Sequence, residues 1–160
     1  MMLSLSVGLI GVQTVFRQKH RIRQLTQCAD FIQTVSTEIG YGCFPLTDIL
    51  HRAAENEAFS ALPFLKSVER EITTGFSLAW KTSIENATSL ALRKEEKAIL
   101  IQFGKHLGTT DTDTQLVICE RYRVQFAQRS KDASMRFSDG KRLYYGCFAI
   151  ASLLLFTLIL

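Results

Sequence analysis

Proline, tryptophan and paired cysteines are scarce in this chain. Its 160 residues include 2 prolines and 1 tryptophan. Scarce proline, with abundant Leu, Ala, Glu, Lys, Arg and Gln and no strand-like alternation of useful length, predicts an all-α fold. The four cysteines, at positions 28, 43, 119 and 147, show no Cys-x-x-Cys spacing. Because structural zinc uses closely spaced ligands, we expect free thiols in a reducing compartment and a cytosolic main body.

Charged side chains are missing from both ends of the sequence. Residues 143–160 contain no Asp, Glu, Lys, Arg or Pro. A helix of this length reaches roughly 27 Å at about 1.5 Å per residue, close to the ~30 Å hydrocarbon thickness of a bilayer. Tyr144 and Tyr145 stand where aromatic rings favour the headgroup zone. We predict a C-terminal transmembrane helix over 143–160; a buried helix of a larger complex is the alternative.

Residues 1–16 are also free of charge, but they are short for a span and contain several polar side chains. A cluster of basic residues follows this stretch, whereas a secretory signal has its basic residues in front. This order favours an uncleaved N-terminal membrane anchor over 1–16 with its N-terminus outside. Both ends then predict the same arrangement: a cytosolic helical bundle domain over 17–142, with both termini on the outer side of a cell membrane.

The net charge of +4 is unevenly distributed. Segment 17–30 carries four basic and one acidic residue and segment 114–142 carries seven basic and three acidic, whereas 31–113 carries eight basic and eleven acidic. Basic residues beside apolar ends are typical of a cytoplasmic membrane face, not of a nucleic-acid groove. We therefore expect no nucleic acid as a partner. Anionic lipid headgroups are predicted to lie near Arg17, Lys19, Arg21, Arg23, Lys141 and Arg142.

Glycine and proline divide the region between the apolar ends into helical segments. Apolar residues recur there at spacings of three and four, as on one face of a helix. Gly40, Gly42 and Gly75 are predicted to end helices, and Pro45 and Pro63 to begin them. The pattern predicts an antiparallel bundle of about six helices, over about 18–40, 45–55, 63–75, 77–88, 93–107 and from 113 onward.

Several positions inside the predicted helices have specific expectations. Trp80 is expected in the core. Gly104 and Gly108, four apart on one helix, are expected to allow a neighbouring helix to approach closely. Asp139 and Gly140 are predicted to kink the last helix before the C-terminal span.

No pattern of catalytic, cofactor-binding or metal-binding residues is recognisable. His51 and Glu55 are four apart on one helical face, but two ligands are too few for a metal, so we interpret them as a surface pair. The sequence has no Gly-x-Ser-x-Gly elbow and no phosphate-binding loop. The residues alone therefore predict a non-catalytic, membrane-anchored interaction module. Six acidic residues are interpreted as a solvated face, with a docking surface as the alternative: Glu38, Asp48, Glu55, Glu57, Glu95 and Glu96.

Motifs spread over nearly the whole chain resemble the stage III sporulation protein AB family. The first half contributes Arg21-x-Arg23-Gln24-Leu25, Glu38-Ile39-x-Tyr41-Gly42-x-x-Pro45-Leu46, and Gly75 with Ala79-Trp80. The second half contributes Lys94-Glu95, Phe103-Gly104-x-x-Leu107-Gly108-x-x-Asp111 and Gln115. Gly40 and the strongly basic segment 114–142 depart from the family pattern.

The resemblance implies a place in the mother-cell membrane around the forespore of endospore-forming bacteria. Members of the family belong to a transenvelope channel, and their cytosolic domain resembles half of the platform protein of type II secretion and type IV pilus machines. The implied partners are a secretion-type ATPase and the other membrane proteins of the channel; a homo-oligomer is left open. A helical adaptor of a pilus or secretion system unrelated to sporulation is the alternative, and a membrane-bound enzyme using His51 and Glu55 is a third reading.

Two turns at the membrane-distal end of the bundle are our candidates for partner binding. The positions are Glu38, Tyr41, Gly42, Gly108, Asp111 and Gln115. The alternative is that Tyr41, Pro45, Gly104 and Leu107 only shape and pack turns.

Overall fold

The computed structural model describes the backbone of residues 2–42 and 44–159, and the side chains of 15–42, 44–73 and 75–138. Within these ranges the chain forms helices and no strand, which confirms the all-α prediction. Two short 3-10 helices, Glu57–Phe59 and Ile72–Thr74, lie in the connections. The six α-helices are α1 (Met2–Gly40), α2 (Leu46–Glu55), α3 (Phe64–Glu71), α4 (Phe76–Asn86), α5 (Lys94–His106) and α6 (Thr112–Ile159).

The two long helices, α1 and α6, pack side by side in opposite directions. The Thr26 and Ser130 hydroxyl oxygens lie 2.7 Å apart, and a Cβ placed on Gly40 would lie 3.7 Å from Leu116 Cδ2. Rising numbers on α1 thus meet falling numbers on α6. The helix α1 includes residues from the predicted anchor and from the bundle, and α6 continues through positions 139 and 140, where a kink is predicted.

Among the residues that the structure describes, no helix combines the length and the apolar character needed to cross a membrane. The predicted spans 1–16 and 143–160 fall almost entirely on residues whose side chains lie outside that description. Both spans therefore stay predictions.

The shorter helices close a ring around the core in chain order. Each of α2, α3, α4 and α5 packs against the next helix, α2 also contacts α1, and α5 contacts α6. Short connections favour this arrangement, because neighbouring helices in the chain then lie beside each other in space. The helices begin and end close to the positions predicted from proline and glycine, and Gly75 ends its segment with a φ of +106°.

Trp80 occupies the centre of the core, as the sequence predicts. It is fully buried, and its indole Nε1 donates a hydrogen bond to the Leu100 carbonyl at 2.8 Å. Four aromatic rings surround the indole, with centroid distances from 5.3 to 6.2 Å. They belong to Phe31, Phe64, Phe76 and Phe103.

Gly104, inside α5, and Gly108, just after its C-terminal end, have different roles. A Cβ on Gly104 would lie 2.2 Å from Trp80 Cδ1, so glycine is what lets α5 approach the indole. This confirms the expected close helix approach at Gly104. The same expectation is wrong for Gly108, which lies beyond the end of α5 with a φ of +76° and turns the chain towards α6. Sequence spacing alone did not distinguish a glycine inside the last turn from one just after it.

A buried glutamine on α1 bonds the two segments that precede α3 and α5. Gln24 is fully buried. Its Nε2 donates to the carbonyl oxygens of Ala61 at 3.0 Å and Ser89 at 3.1 Å, and its Oε1 accepts from the Ala91 amide at 2.8 Å. The bond to the Ala61 carbonyl satisfies a buried backbone group, and the bonds to Ser89 and Ala91 are partly buried, so Gln24 helps to hold both connections against α1.

Candidate functional site

The turn between α1 and α2 is built on a left-handed glycine. The Tyr41 amide donates to the Thr37 carbonyl and the Gly42 amide to the Ile39 carbonyl, both at 3.0 Å, and Gly42 has a φ of +74°. This is a C-terminal helix cap, and glycine adopts it without the steric cost that a Cβ imposes. The cap leaves the Tyr41 side chain 78% exposed. An exposed aromatic ring at a rigid turn is a suitable anchor for a protein partner.

Glu38 lies beside this turn and faces α2. Its Oε2 accepts from an Arg52 guanidinium nitrogen at 3.1 Å, and the same guanidinium lies 4.0 Å from the centroid of the Phe44 ring. Phe44 is 49% exposed. Neither Phe44 nor Arg52 was predicted as a functional position, because neither is a defined position of the motifs that carry the family resemblance.

The turn between α5 and α6 is organised by Asp111. Its carboxylate accepts from the Thr114 amide at 3.0 Å and from the Thr114 hydroxyl at 2.7 Å, which is the bonding of a helix N-cap. These hydrogen bonds from Thr114 lower the pKa of Asp111. The Gln115 Nε2 donates to the Thr110 carbonyl at 2.7 Å. Asp111 and Gln115 therefore both have a local structural role in this turn.

The fold brings the two candidate turns to the same end of the bundle. A Cβ on Gly108 would lie 3.7 Å from Leu46 Cδ2, at the start of α2, and Gly40 is equally close to Leu116 near the start of α6. Since α1 and α6 are antiparallel, Arg17 and the C-terminal part of α6 lie towards the opposite end. The six candidate positions thus share one end surface, which the sequence alone predicted only as a hypothesis.

His51 makes two exposed ionic contacts, one with Glu69 and one with Glu55. Its Nδ1 lies 2.5 Å from Glu69 Oε1, and its Nε2 lies 3.8 Å from Glu55 Oε2. The hydrogen bond to Glu69, with the charges of Glu55 and Glu69, raises the pKa of His51. Among the side chains described, no group of three His, Cys, Asp or Glu residues has an arrangement that would hold a metal ion. The interpretation of His51 and Glu55 as a surface pair agrees with these contacts.

One residue of the expected solvated acidic face is in fact buried. Glu96 is 1% exposed, and both of its carboxylate oxygens bind the Arg21 guanidinium. Glu96 Oε2 also accepts from the Arg93 amide at 2.8 Å. Burial by itself raises the pKa of Glu96, but the bonds from Arg21 and Arg93 outweigh burial and lower the pKa overall. A carboxylate three residues after the residue that precedes a helix commonly caps the start of that helix. This spacing would have indicated the bond between the Arg93 amide and Glu96.

The comparisons with known proteins agree with one another. The family model for stage III sporulation protein AB matches residues 1–160. A relative from Bacillus subtilis (strain 168), named stage III sporulation protein AB, is 25% identical over 144 residues, which are 88% of this chain and 84% of the relative. A solved structure of stage III sporulation protein AB is similar with a TM-score of 0.67 and 25% identity, over 74% of this chain and 97% of that one. The resemblance carried by the motifs is thereby confirmed, and the chain belongs to the stage III sporulation protein AB family.

Proposed function

We propose that this chain is a non-catalytic membrane platform in the channel between mother cell and forespore that endospore formation requires. Family membership over residues 1–160 is the observation that carries this proposal. The names of the matched relatives designate a stage of sporulation and no chemical reaction. A platform needs a rigid body with a shaped docking end, and the ring of helices around Trp80 supplies such a body.

The docking end in this proposal is the surface of the α1–α2 and α5–α6 turns, and its partner is a cytosolic secretion-type ATPase. Tyr41 supplies an exposed aromatic anchor, and Phe44 with the Arg52 guanidinium extends it. The Glu38–Arg52 ion pair and the Asp111 carboxylate add charged groups at the same end. An aromatic anchor surrounded by charge is the composition that protein partners recognise.

The opposite end of the bundle is the membrane tether in this proposal. The basic side chains beside the predicted spans would contact anionic headgroups of the mother-cell membrane, with the bundle in the cytoplasm and both termini on the outer side. Arg21 is not part of this contact, because its guanidinium is held by Glu96 and its side chain is 12% exposed. The contact then involves Arg17, Lys19, Arg23, Lys141 and Arg142. Reporter fusions at both termini and near Asn56 test this topology, and a cytoplasmic C-terminus would contradict it.

Substitutions at the docking end test the proposed ATPase contact. Tyr41→Ala, Glu38→Lys and Asp111→Asn are each expected to weaken pull-down of the ATPase and to lower the yield of heat-resistant spores. Asp111→Asn keeps an oxygen for the N-cap, so the loss is not an effect of unfolding. Glu57→Lys, an exposed charge reversal at the other end of α2, is the control and is expected to change neither measurement. Normal ATPase recovery and spore yield in all three folded variants would remove these turns from the docking site.

A further inference from the structure

A cleft lined by arginines lies at the N-terminal end of α5, where that helix meets α1 and α6. It is open to solvent and has a volume of about 100 Å³, several times the ~10–15 Å³ that one water molecule needs. We refer to it as the arginine cleft. Its lining residues are Arg21, Arg93, Glu96, Arg129, Asp132, Ala133 and Arg136.

The two acidic residues of the arginine cleft do not neutralise its four arginines. Glu96 is occupied by Arg21 and by the Arg93 amide. Asp132 accepts a hydrogen bond from Gln128 at 2.9 Å. Within the described side chains, no ion pair involves the guanidinium of any of the other three arginines, at positions 93, 129 and 136. The cleft therefore carries an excess of two positive charges.

The positions of these arginines follow from helix geometry. Residues 129, 132, 133 and 136 on α6 are spaced by three and four, so they share one face, and that face turns towards the start of α5. Arg93 directly precedes α5, so its charge adds to the positive end of the helix dipole. Like charges brought together in this way repel each other unless an anion binds between them.

We propose that the arginine cleft binds a phosphate group, either of an anionic lipid headgroup or of a free phosphate. The planar guanidinium fork of arginine matches two oxygens of a phosphate. Arg21 is held at one wall of the cleft by its bonds to Glu96. The lipid source rests on the proposed membrane tether, since Arg21 lies four residues, or ~6 Å along a helix, beyond Arg17. The free-phosphate source does not depend on that tether.

Calorimetric titration of the full-length protein in neutral detergent micelles tests the proposal. The two probes are inorganic phosphate and dioctanoyl phosphatidylglycerol incorporated in the micelles, each measured against chloride at the same ionic strength. The cleft variant is Arg129→Gln with Arg136→Gln. The matched control is Arg121→Gln with Lys131→Gln, which removes the same charge from the same helix outside the arginine cleft. A second cleft variant, Arg129→Lys with Arg136→Lys, keeps the charge and removes the guanidinium fork.

We expect at least one probe to bind more tightly than chloride, and the glutamine variant of the cleft to weaken that binding by about tenfold or more. The control should change it by about twofold or less, and the lysine variant should fall between them. Tighter binding of the lipid than of inorganic phosphate assigns the site to a headgroup, and equal binding assigns it to a free phosphate. Binding no tighter than chloride, or equal losses in the cleft and control variants, would overturn the proposal. A cleft that binds phosphate in a protein whose termini prove cytoplasmic would leave the inference standing and remove only the tether.

Discussion

At position 104 the lack of a side chain determines how closely α5 packs on the core. A Cβ there would lie 2.2, 2.4 and 2.6 Å from three atoms of the Trp80 indole. The indole cannot move away easily, because it is fully buried and its Nε1 is bonded to the Leu100 carbonyl. Any larger residue must therefore displace α5 or break that bond.

Gly104→Ala is expected to lower the free energy of unfolding by about 2–3 kcal/mol, because overpacking a rigid core outweighs the better helix propensity of alanine. Urea unfolding of the full-length protein in detergent measures this change. Gly40→Ala is the matched control, since its Cβ would meet Leu116 at an ordinary 3.7 Å. An alanine at 104 that is as well tolerated as one at 40 would contradict the close packing described here.

The Arg21–Glu96 ion pair makes stability depend on pH in a defined direction. Because the pKa of Glu96 is lowered below its ordinary value of 4.5, the ionised pair stabilises the fold above that pH. Its contribution is lost as the pH falls from 4.5 through the folded-state pKa. Acidification should therefore protonate Glu96 and leave the Arg21 guanidinium without its partner.

Glu96→Gln is expected to cost about 3 kcal/mol near neutral pH, since it leaves a largely buried arginine unpaired. The variant should also lose less stability than the wild type when the pH is lowered below 4.5. Urea midpoints measured across that range give both quantities. Glu95→Gln changes an exposed neighbour and should keep the wild-type pH dependence; a Glu96→Gln curve parallel to the wild type would argue against the pair.

Among the helices and connections, Gln24 shows how one side chain positions three segments. It lies on α1 and bonds backbone groups before α3 and before α5. Gln27 and Arg23, which also lie on α1, bond Ala61 and Ser60 of the first connection. Gln24 bonds both connections and so helps to fix the positions of both. Their local stability should depend on it as well.

Gln24→Met keeps the side-chain length and removes the partner of the buried Ala61 carbonyl and of the partly buried Ser89 carbonyl and Ala91 amide. We expect a loss of about 3 kcal/mol, at ~1–3 kcal/mol for each buried group, and faster hydrogen exchange at the Ala91 amide. Exchange monitored by NMR or mass spectrometry locates the change. Gln33→Met, at an exposed position of the same helix, should leave that exchange rate as it is.

The sequence predicted the helices well because their ends are marked by residues with strong backbone preferences. Pro45 and Pro63 precede helix starts, and Gly42 and Gly75 follow helix ends with positive φ. It did not predict which polar residues are buried. A glutamine or glutamate inside an amphipathic helix has the same local pattern whether it faces water or a distant backbone group, so Gln24 and Glu96 were identified only by their tertiary partners.

For the molecule as a whole, the antiparallel pairing of α1 and α6 decides which surfaces share an end. The six candidate positions were predicted from two motifs about 70 residues apart in the sequence. Their proximity depends on contacts such as those of Gly40 with Leu116, which no local pattern encodes. In the sequence, the two turns were linked by the predicted antiparallel bundle and by the motifs of the family resemblance.

A disulfide cross-link tests this pairing in the full-length protein. Thr26→Cys with Ser130→Cys should form an intramolecular disulfide on mild oxidation, because the two hydroxyl oxygens lie 2.7 Å apart. The background carries Cys43→Ser and Cys147→Ser. The native Cys28 and Cys119 are fully buried, and burial raises the pKa of both thiols, that of Cys119 to about 11, so they should stay unreactive.

Non-reducing mass spectrometry of the peptides identifies the cross-link. The control pair is Thr26→Cys with Val117→Cys, which places the second thiol 13 residues, or ~20 Å of helix, away from position 130. This pair should remain reduced under the same conditions. Equal cross-linking of both pairs would mean that α1 and α6 do not hold a fixed register.

The helix α6 starts at the α5–α6 turn and continues for 48 residues as a single element, a contour length of ~72 Å. A force exerted at Asp111 is therefore transmitted to Ile159 through one continuous helix, with no loop between the two residues. Mechanical work done on the α5–α6 turn would displace the C-terminal end of α6.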